Sequence, residues 1–204
     1  MPKMKKPVQE RSRQRREKIL LTTKKILREQ DLESFTTTAL AAQACIPVGS
    51  IYQYFPNKET ILLAILEEYL AAIRQLYVDL QRPEFLSLPR RTQLQQLVTS
   101  IMDLESRDQI DDALNKAIIL IPALREADQR HREQTAGMMA DLLKAMGSPW
   151  TKARLRRFSK FLYFMNAGIW SYRAELRGHS KERQQWEFSV FYATLALCFD
   201  DDDA

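Results

Sequence analysis

Between residues 47 and 58 the sequence sets out groups that complement what a nucleic acid presents. Gln53 carries a carboxamide, which donates and accepts side by side and so fits the adenine edge in a major groove. Val48 offers only apolar contact, as to a thymine methyl. For each, the competing reading is a side chain that merely faces solvent. Lys58 follows Asn57, a good N-cap residue, so its ammonium falls in the first turn of a helix. A cation there opposes the helix dipole, at a cost of about 0.3–1 kcal/mol. A phosphate at the same place reverses that penalty, because the helix N-terminus and the ammonium both attract it. The competing reading is a surface lysine paired with a nearby acid.

To reach bases, such groups need a helix lying in the groove and a second helix bracing it, the helix-turn-helix arrangement. The sequence supplies the parts. Thr36-Thr37-Thr38 is a row of N-cap residues, and Ala39 to Ala44 is a short helix rich in alanine. Ala39, Ala41, Ala42 and Ala44 are small enough for a second helix to cross closely. Cys45-Ile46-Pro47 breaks the helix, and Pro47 can open the next one, which runs to Phe55. Leu40, Ile46, Ile51 and Phe55 are spaced to tie the pair to a core.

Charge agrees with this location. Residues 1–60 hold 12 Lys/Arg against 6 Asp/Glu, a net +6, while the remainder holds 19 against 20. Basic residues gathered at one end suit a polyanion, since they displace its condensed counterions. A solvated basic tail is the alternative. Residues 1–10 are expected to lack regular structure and to form either a loose tail or an arm along a minor groove.

Periodicity predicts helices throughout, and the fold class is all-α. One helix runs from about Ser12 to before Asp31, and a long one runs from Asn57, as cap, to about Gln81. Pro83 to Pro89 reads as a loop. Helices then cover about Arg90–Glu105, Ile110–Leu120, Ala123–Met146, Thr151–Arg177 and Lys181–Phe199. Leu155, Phe158, Leu162, Met165, Ile169, Tyr172 and Leu176 step by 3 and 4 alternately, an apolar seam of heptad type. Trp186, Val190, Ala193 and Leu197 continue it on the last helix. Two such helices from each of two copies can close a four-helix bundle, giving a homodimer. The competing reading is that both seams only pack into their own subunit's core; Phe161, Phe164 and Gly168 give the long helix a second buried face, so that it can serve both core and dimer.

Other chemistry is poorly provided for. The two cysteines, Cys45 and Cys198, make no disulfide framework and suggest a reducing compartment. His131 and His179 have no evident partner, and no metal spacing, phosphate loop or nucleophile motif occurs. An enzyme is not expected, nor any cofactor. With neither a signal peptide nor an apolar run of about 18 residues, the expected location is the cytoplasm, with no membrane partner.

Phe35-Thr36-Thr37-Thr38, followed by Ala41-Ala42-Gln43-Ala44-Cys45-Ile46-Pro47-Val48-Gly49-Ser50-Ile51-Tyr52-Gln53-Tyr54-Phe55-Pro56-Asn57-Lys58-Glu59, resembles the signature of the TetR (tetracycline-repressor-like) family of transcriptional regulators. The resemblance covers about 25 positions; beyond them it is one of length and helical layout. It implies a three-helix DNA-binding domain over residues 1–58 and a helical effector-binding and dimerisation domain over 59–204. It implies phosphate contacts from Thr37 and Thr38, base contacts from Val48 and Gln53, and close backbone approach at Gly49. Ser50, Tyr52 and Tyr54 would touch phosphates or sugars, and Lys58 a phosphate. The partners implied are a palindromic duplex operator, a second copy of the chain, and a small hydrophobic effector in a cavity of the middle helices. Met102, Met138, Met139, Phe161 and Phe164 are the candidates to line it, with Arg107, Asn115, His131 and Asn166 as conceivable polar anchors. The competing reading is a DNA-binding protein governed by a protein partner or by no effector. Cys45 stands where the family usually has glycine; if the turn needs positive φ, the cysteine is strained there.

Overall fold

The computed structural model describes residues 8–30, 32–106, 111–173 and 180–200; for residues 8, 9, 105, 106, 111, 112, 170–173 and 180 it describes the backbone alone. Every regular element among them is helical. The order is α1 (Val8–Glu29), a 3-10 turn at Leu32–Ser34, α2 (Thr37–Ala44), α3 (Val48–Tyr52), α4 (Lys58–Asp79), α5 (Pro83–Leu86), α6 (Arg90–Ser106), α7 (Asp111–Leu120), α8 (Pro122–Ala145), α9 (Lys152–Arg173), α10 (Ser180–Ala196), and a closing 3-10 turn at Leu197–Phe199.

Several boundaries differ from the sequence expectation. Helix α1 starts at Val8, about one turn before Ser12, so residues 8–10 are helical. Glu10 favours that first turn through the dipole and accepts a hydrogen bond from Gln14 at 3.3 Å. Pro47 is the extended cap residue before α3 rather than its first helical residue, and α3 closes at Tyr52. The stretch expected as a loop after Pro83 contains α5, with Pro83 at its first turn and Phe85 buried. Its last carbonyls find a donor in Gln93, whose Nε2 reaches the oxygens of Phe85 (3.2 Å) and Leu86 (2.9 Å). Pro122 opens α8, where its missing N–H costs nothing. The separator expected at Gly178-His179 lies outside the described residues, as does Arg107.

Two apolar clusters hold the chain together. The first joins α1, α2, α3 and the first half of α4 to α7 and the start of α8, around Phe35, Leu40, Ile51, Ile61 and Ile65. The second joins the end of α4 to α5, α6, the end of α8, α9 and α10, around Leu97, Leu142, Leu143 and Leu155. Helix α4 contributes to both. At 22 residues it is about 33 Å long, so one rigid element runs from the small N-terminal helices into the body.

Candidate nucleic-acid interface and internal cavity

Helix α2 begins at a true cap: the Thr36 hydroxyl accepts from the Ala39 N–H at 3.1 Å. It ends at Cys45, in the left-handed region at φ 52°, ψ 48°. There Cys45 N–H donates to Ala42 O (3.2 Å) and Ile46 N–H to Ala41 O (3.1 Å), a Schellman closure. Glycine is the residue this position prefers; the cysteine keeps the same geometry under strain. Ala41 and Ala44 are buried where the two short helices cross, and Leu40, Ile51 and Phe55 anchor them. Tyr52, at the end of α3, meets Thr37, at the start of α2, through their hydroxyl oxygens at 3.1 Å.

The candidate DNA-facing residues divide by exposure. Thr38, Gly49, Tyr52, Gln53 and Lys58 are exposed, while Thr37, Val48, Ser50 and Tyr54 are half-buried. Val48 and Tyr54 also pack against the first cluster, so part of each side chain is committed inward. A Cβ added at Gly49 would meet nothing within 4 Å, so the fold itself does not require glycine there. Lys58 is the first residue of α4, behind Asn57, whose Oδ1 accepts from Thr60 N–H at 2.9 Å, while Thr60 Oγ1 accepts from Asn57 N–H at 3.4 Å. That box ties down the cap and leaves the exposed lysine at the positive end of the helix. Of the basic residues on α1, Arg16 and Lys24 are engaged with Glu68 of α4, at 3.6 and 3.7 Å.

A cavity of about 280 Å³ lies among α4, α6, α7, α8, α9 and α10. Its walls are mainly apolar, and Leu66, Leu70, Ile73 and Tyr77 of α4 form one side. Phe164 and Ile119 line it yet are 58% and 70% exposed, which sets them at its mouth. Of the expected lining, Met139 and Phe164 are there; Met102, Met138 and Phe161 are not. Met102 and Met138 pack on the second cluster, and Phe161 sits on the outer face of α9, 55% exposed. Asn115, His131 and Asn166 do line the cavity.

Sequence reasoning missed the polar group around His131. Asp128, Arg132 and Thr135 of α8 and Tyr163 of α9 share the lining with it. Tyr163 donates its hydroxyl hydrogen to the Asp128 carboxylate. Burial pushes the Asp128 carboxyl up, against the Tyr163 hydrogen bond and the charge of Arg132. The Arg132 guanidinium lies over the ring of Phe164, 4.7 Å from its centroid. His131 is 2% exposed, and its Nδ1 is 3.3 Å from Nη1 of Arg74 on α4. Burial, then the charge of Arg74, hold the imidazole neutral by lowering its pKa to about 4. The available signal was the spacing 128, 131, 132, 135, which puts four polar residues on one stripe of an otherwise core-forming helix.

The seam expected on α9 requires correction. Leu155 and Leu162 are buried in the chain's own second cluster, and Phe158, Met165 and Ile169 pack against it. Helix α9 lies along α8, and Phe158, Met165 and Ile169 of the heptad face stay half-buried. Leu176 and the side chain of Tyr172 lie outside the described residues. What α9 leaves exposed is the other face, with Phe161, Phe164 and Gly168. On α10 the seam does point outward: Trp186, Val190, Ala193 and Leu197 are exposed, while Phe191, Leu195 and Cys198 turn into the core. Among the described residues no helix is long and apolar enough to cross a membrane, and no group of three or more His, Cys, Asp or Glu could hold a metal ion.

Comparison with known proteins agrees with this architecture. The family model for bacterial regulatory proteins of the tetR family matches residues 19–65. No curated protein sequence matches the chain. The reduced form of NemR from E. coli superposes with a TM-score of 0.68 at 16% identity, over 93% of this chain and 100% of that one. The multidrug binding protein EbrR, complexed with imidazole, gives 0.65 at 16% identity and covers 100% of both chains. FadR from Bacillus subtilis, in complex with stearoyl-CoA, gives 0.67 at 12% identity, over 90% of this chain and 97% of that one. Residues 19–65, which contain the helix-turn-helix built from α2 and α3, thus match the N-terminal domain of bacterial regulatory proteins of the tetR family, and the chain as a whole shares the fold of solved TetR-type regulators.

Proposed function

We propose that this protein is a transcriptional repressor that binds a palindromic duplex operator as a homodimer and is released by a small, mostly apolar effector. The observation that carries the reading is the course of α4. Lys58 is its first residue, and Leu66, Tyr69, Leu70, Ile73 and Tyr77, further along, form a wall of the cavity. A molecule entering the cavity bears on the helix whose other end carries a candidate phosphate contact. The functional division at residue 58 follows from this: residues 1–58 hold the operator and residues 59–204 dimerise and sense.

The second copy docks on the exposed apolar residues of α9 and α10: Phe161, Phe164, Trp186, Val190 and Leu197. A two-fold dimer sets two α3 helices at a fixed separation, and successive major grooves on one face of a duplex are about 34–36 Å apart. Thr37, Thr38, Ser50, Tyr52, Tyr54 and Lys58 hold the backbone, Gly49 lets it come close, and Val48 and Gln53 read bases. Tilting α4 spoils the separation and breaks several contacts together. By linkage, the effector then binds the DNA-free dimer more tightly than the bound one. That EbrR and FadR were solved with small molecules supports a sensing role for a cavity on this fold.

The test is to incubate the protein with sheared genomic DNA, sequence the fragments it retains, and screen compounds for release of the recovered site. A shared palindrome and a releasing compound are expected. Retention without sequence preference would remove the operator. A site that no compound releases would remove the effector.

A further inference from the structure

The hydrogen bond between Arg74 and His131 determines more than the position of Arg74. A guanidinium has five N–H donors and no acceptor, so where it meets an imidazole nitrogen, that nitrogen is the acceptor. Nδ1 of His131 therefore carries no hydrogen. The neutral ring, with its pKa lowered to about 4, keeps its one proton on Nε2. The two ring nitrogens point in divergent directions, so Nε2–H is turned away from Arg74 and α4. Among the described residues nothing accepts that hydrogen, although the side chain is 2% exposed and its ring lines the cavity.

We infer that His131 Nε2–H is a ligand-binding donor, and that the cavity takes a compact, mostly apolar, uncharged molecule bearing a carbonyl-type acceptor. The absence of charge follows from the lining. Asp128 and Arg132 stand one turn apart on α8, a carboxyl and a guanidinium in the same wall. The carboxyl disfavours an anion, and the Arg132 guanidinium, with Arg74 behind His131, disfavours a cation. Compactness follows from a volume of about 280 Å³, at the lower limit of about 300 Å³ for sites of drug-sized molecules. A buried donor also discriminates sharply, because an analogue without the acceptor leaves it unpaired. Through Nδ1 the same ring holds Arg74, so an acceptor drawn onto Nε2 bears on α4. The inference rests on reading the cavity as the effector site.

The experiment has two arms. Long-range proton–nitrogen spectra of the full-length protein at neutral pH should show His131 as the Nε2–H tautomer; the Nδ1–H tautomer would overturn the inference. Equilibrium dialysis then compares benzophenone with diphenylmethane, which lacks the acceptor, and diphenylmethylamine, which is a cation. Benzophenone should bind at least tenfold more tightly than either. His131→Phe should abolish that preference, and His131→Gln, which keeps an N–H near the Nε2 position, should restore part of it. Equal binding of ketone and hydrocarbon, tightest binding of the amine, or no retention of the ketone would each refute the site. Benzophenone held through His131 without release of the retained DNA would leave the acceptor site standing and remove effector control alone.

Discussion

The hydroxyl of Tyr52, at the end of α3, lies 3.1 Å from the hydroxyl of Thr37, at the start of α2. One hydrogen bond thus fastens the two ends of the helix-turn-helix on its exposed side, using two groups that are themselves candidates for phosphate contact. Tyr52→Phe keeps the ring and removes the bond. Net hydrogen-bond contributions of this kind are about 0.5–1.5 kcal/mol. The variant should lose stability in that range by urea titration and bind every duplex more weakly by a common factor, with base preference unchanged.

Cys45 is the one non-glycine residue with positive φ among the described residues, at φ 52°. Cys45→Gly relieves the strain but adds unfolded-state entropy, so its stability should equal the wild type or exceed it by up to about 1 kcal/mol. Cys45→Val, β-branched in the same position, should lose more than about 1 kcal/mol. The two thiols should also separate by reagent. Cys45 is exposed, while burial pushes the Cys198 thiol up to about 12. In the native protein at pH 8 only Cys45 should be modified, and mass spectrometry of peptides reads the site. Equal labelling of both would contradict the buried position of Cys198.

His131 makes stability depend on acid. Its pKa falls from an unfolded 6.5 to about 4 in the fold. Above pH 6.5 the ring is neutral in both states and contributes no slope. As pH drops toward 4, the unfolded chain takes a proton that the folded one refuses, so stability is lost through that window and levels off below it. Between pH 7 and pH 5 the loss from this group should be about 2 kcal/mol. His131→Gln should remove it, and comparing the two proteins cancels the opposite contribution of Asp128, whose pKa is raised. Parallel pH profiles for wild type and variant would show that the ring is not held neutral.

Two glutamate substitutions separate the candidate interface from the core. Val190 is 46% exposed on the outer face of α10, so Val190→Glu should leave a folded chain that sediments as a monomer. Leu155 is fully buried in the second cluster, and Leu155→Glu should abolish cooperative folding. A folded dimer for Val190→Glu would move the interface away from α10.

The parts of this arrangement legible in the sequence are those set by local chemistry. The Asn57 cap and the alanines of α2 act over three or four residues and were recovered in place, whereas the row of three threonines left the first cap open, and α2 starts at Thr37, two residues before the expected Ala39. Pro47 was misplaced by a single residue because the cap and first-turn positions both tolerate proline. The face of α9 was not legible. Its heptad spacing describes a stripe that packs against some helix, and the pattern is the same whether that helix is α8 of its own chain or belongs to a second copy. Leu155 fell inward and Phe161 outward, the reverse of the expectation. The cavity's polar group was missed for a related reason. Asp128 and His131 come together with Arg74 and Tyr163 only when α4, α8 and α9 are assembled.

Specific recognition of duplex DNA through α3 and the start of α4 is tested most directly by salt-dependent binding. Fluorescence anisotropy should be measured for the palindrome recovered from genomic fragments and for a shuffled duplex of equal length, across a salt series. The palindrome should bind far more tightly, with log affinity falling linearly against log salt. Lys58→Ala should weaken both duplexes by one factor and lower the slope by about one, while Gln53→Ala should alter preference at one base pair per half-site. Equal affinity for the palindrome and its shuffled counterpart would contradict the account.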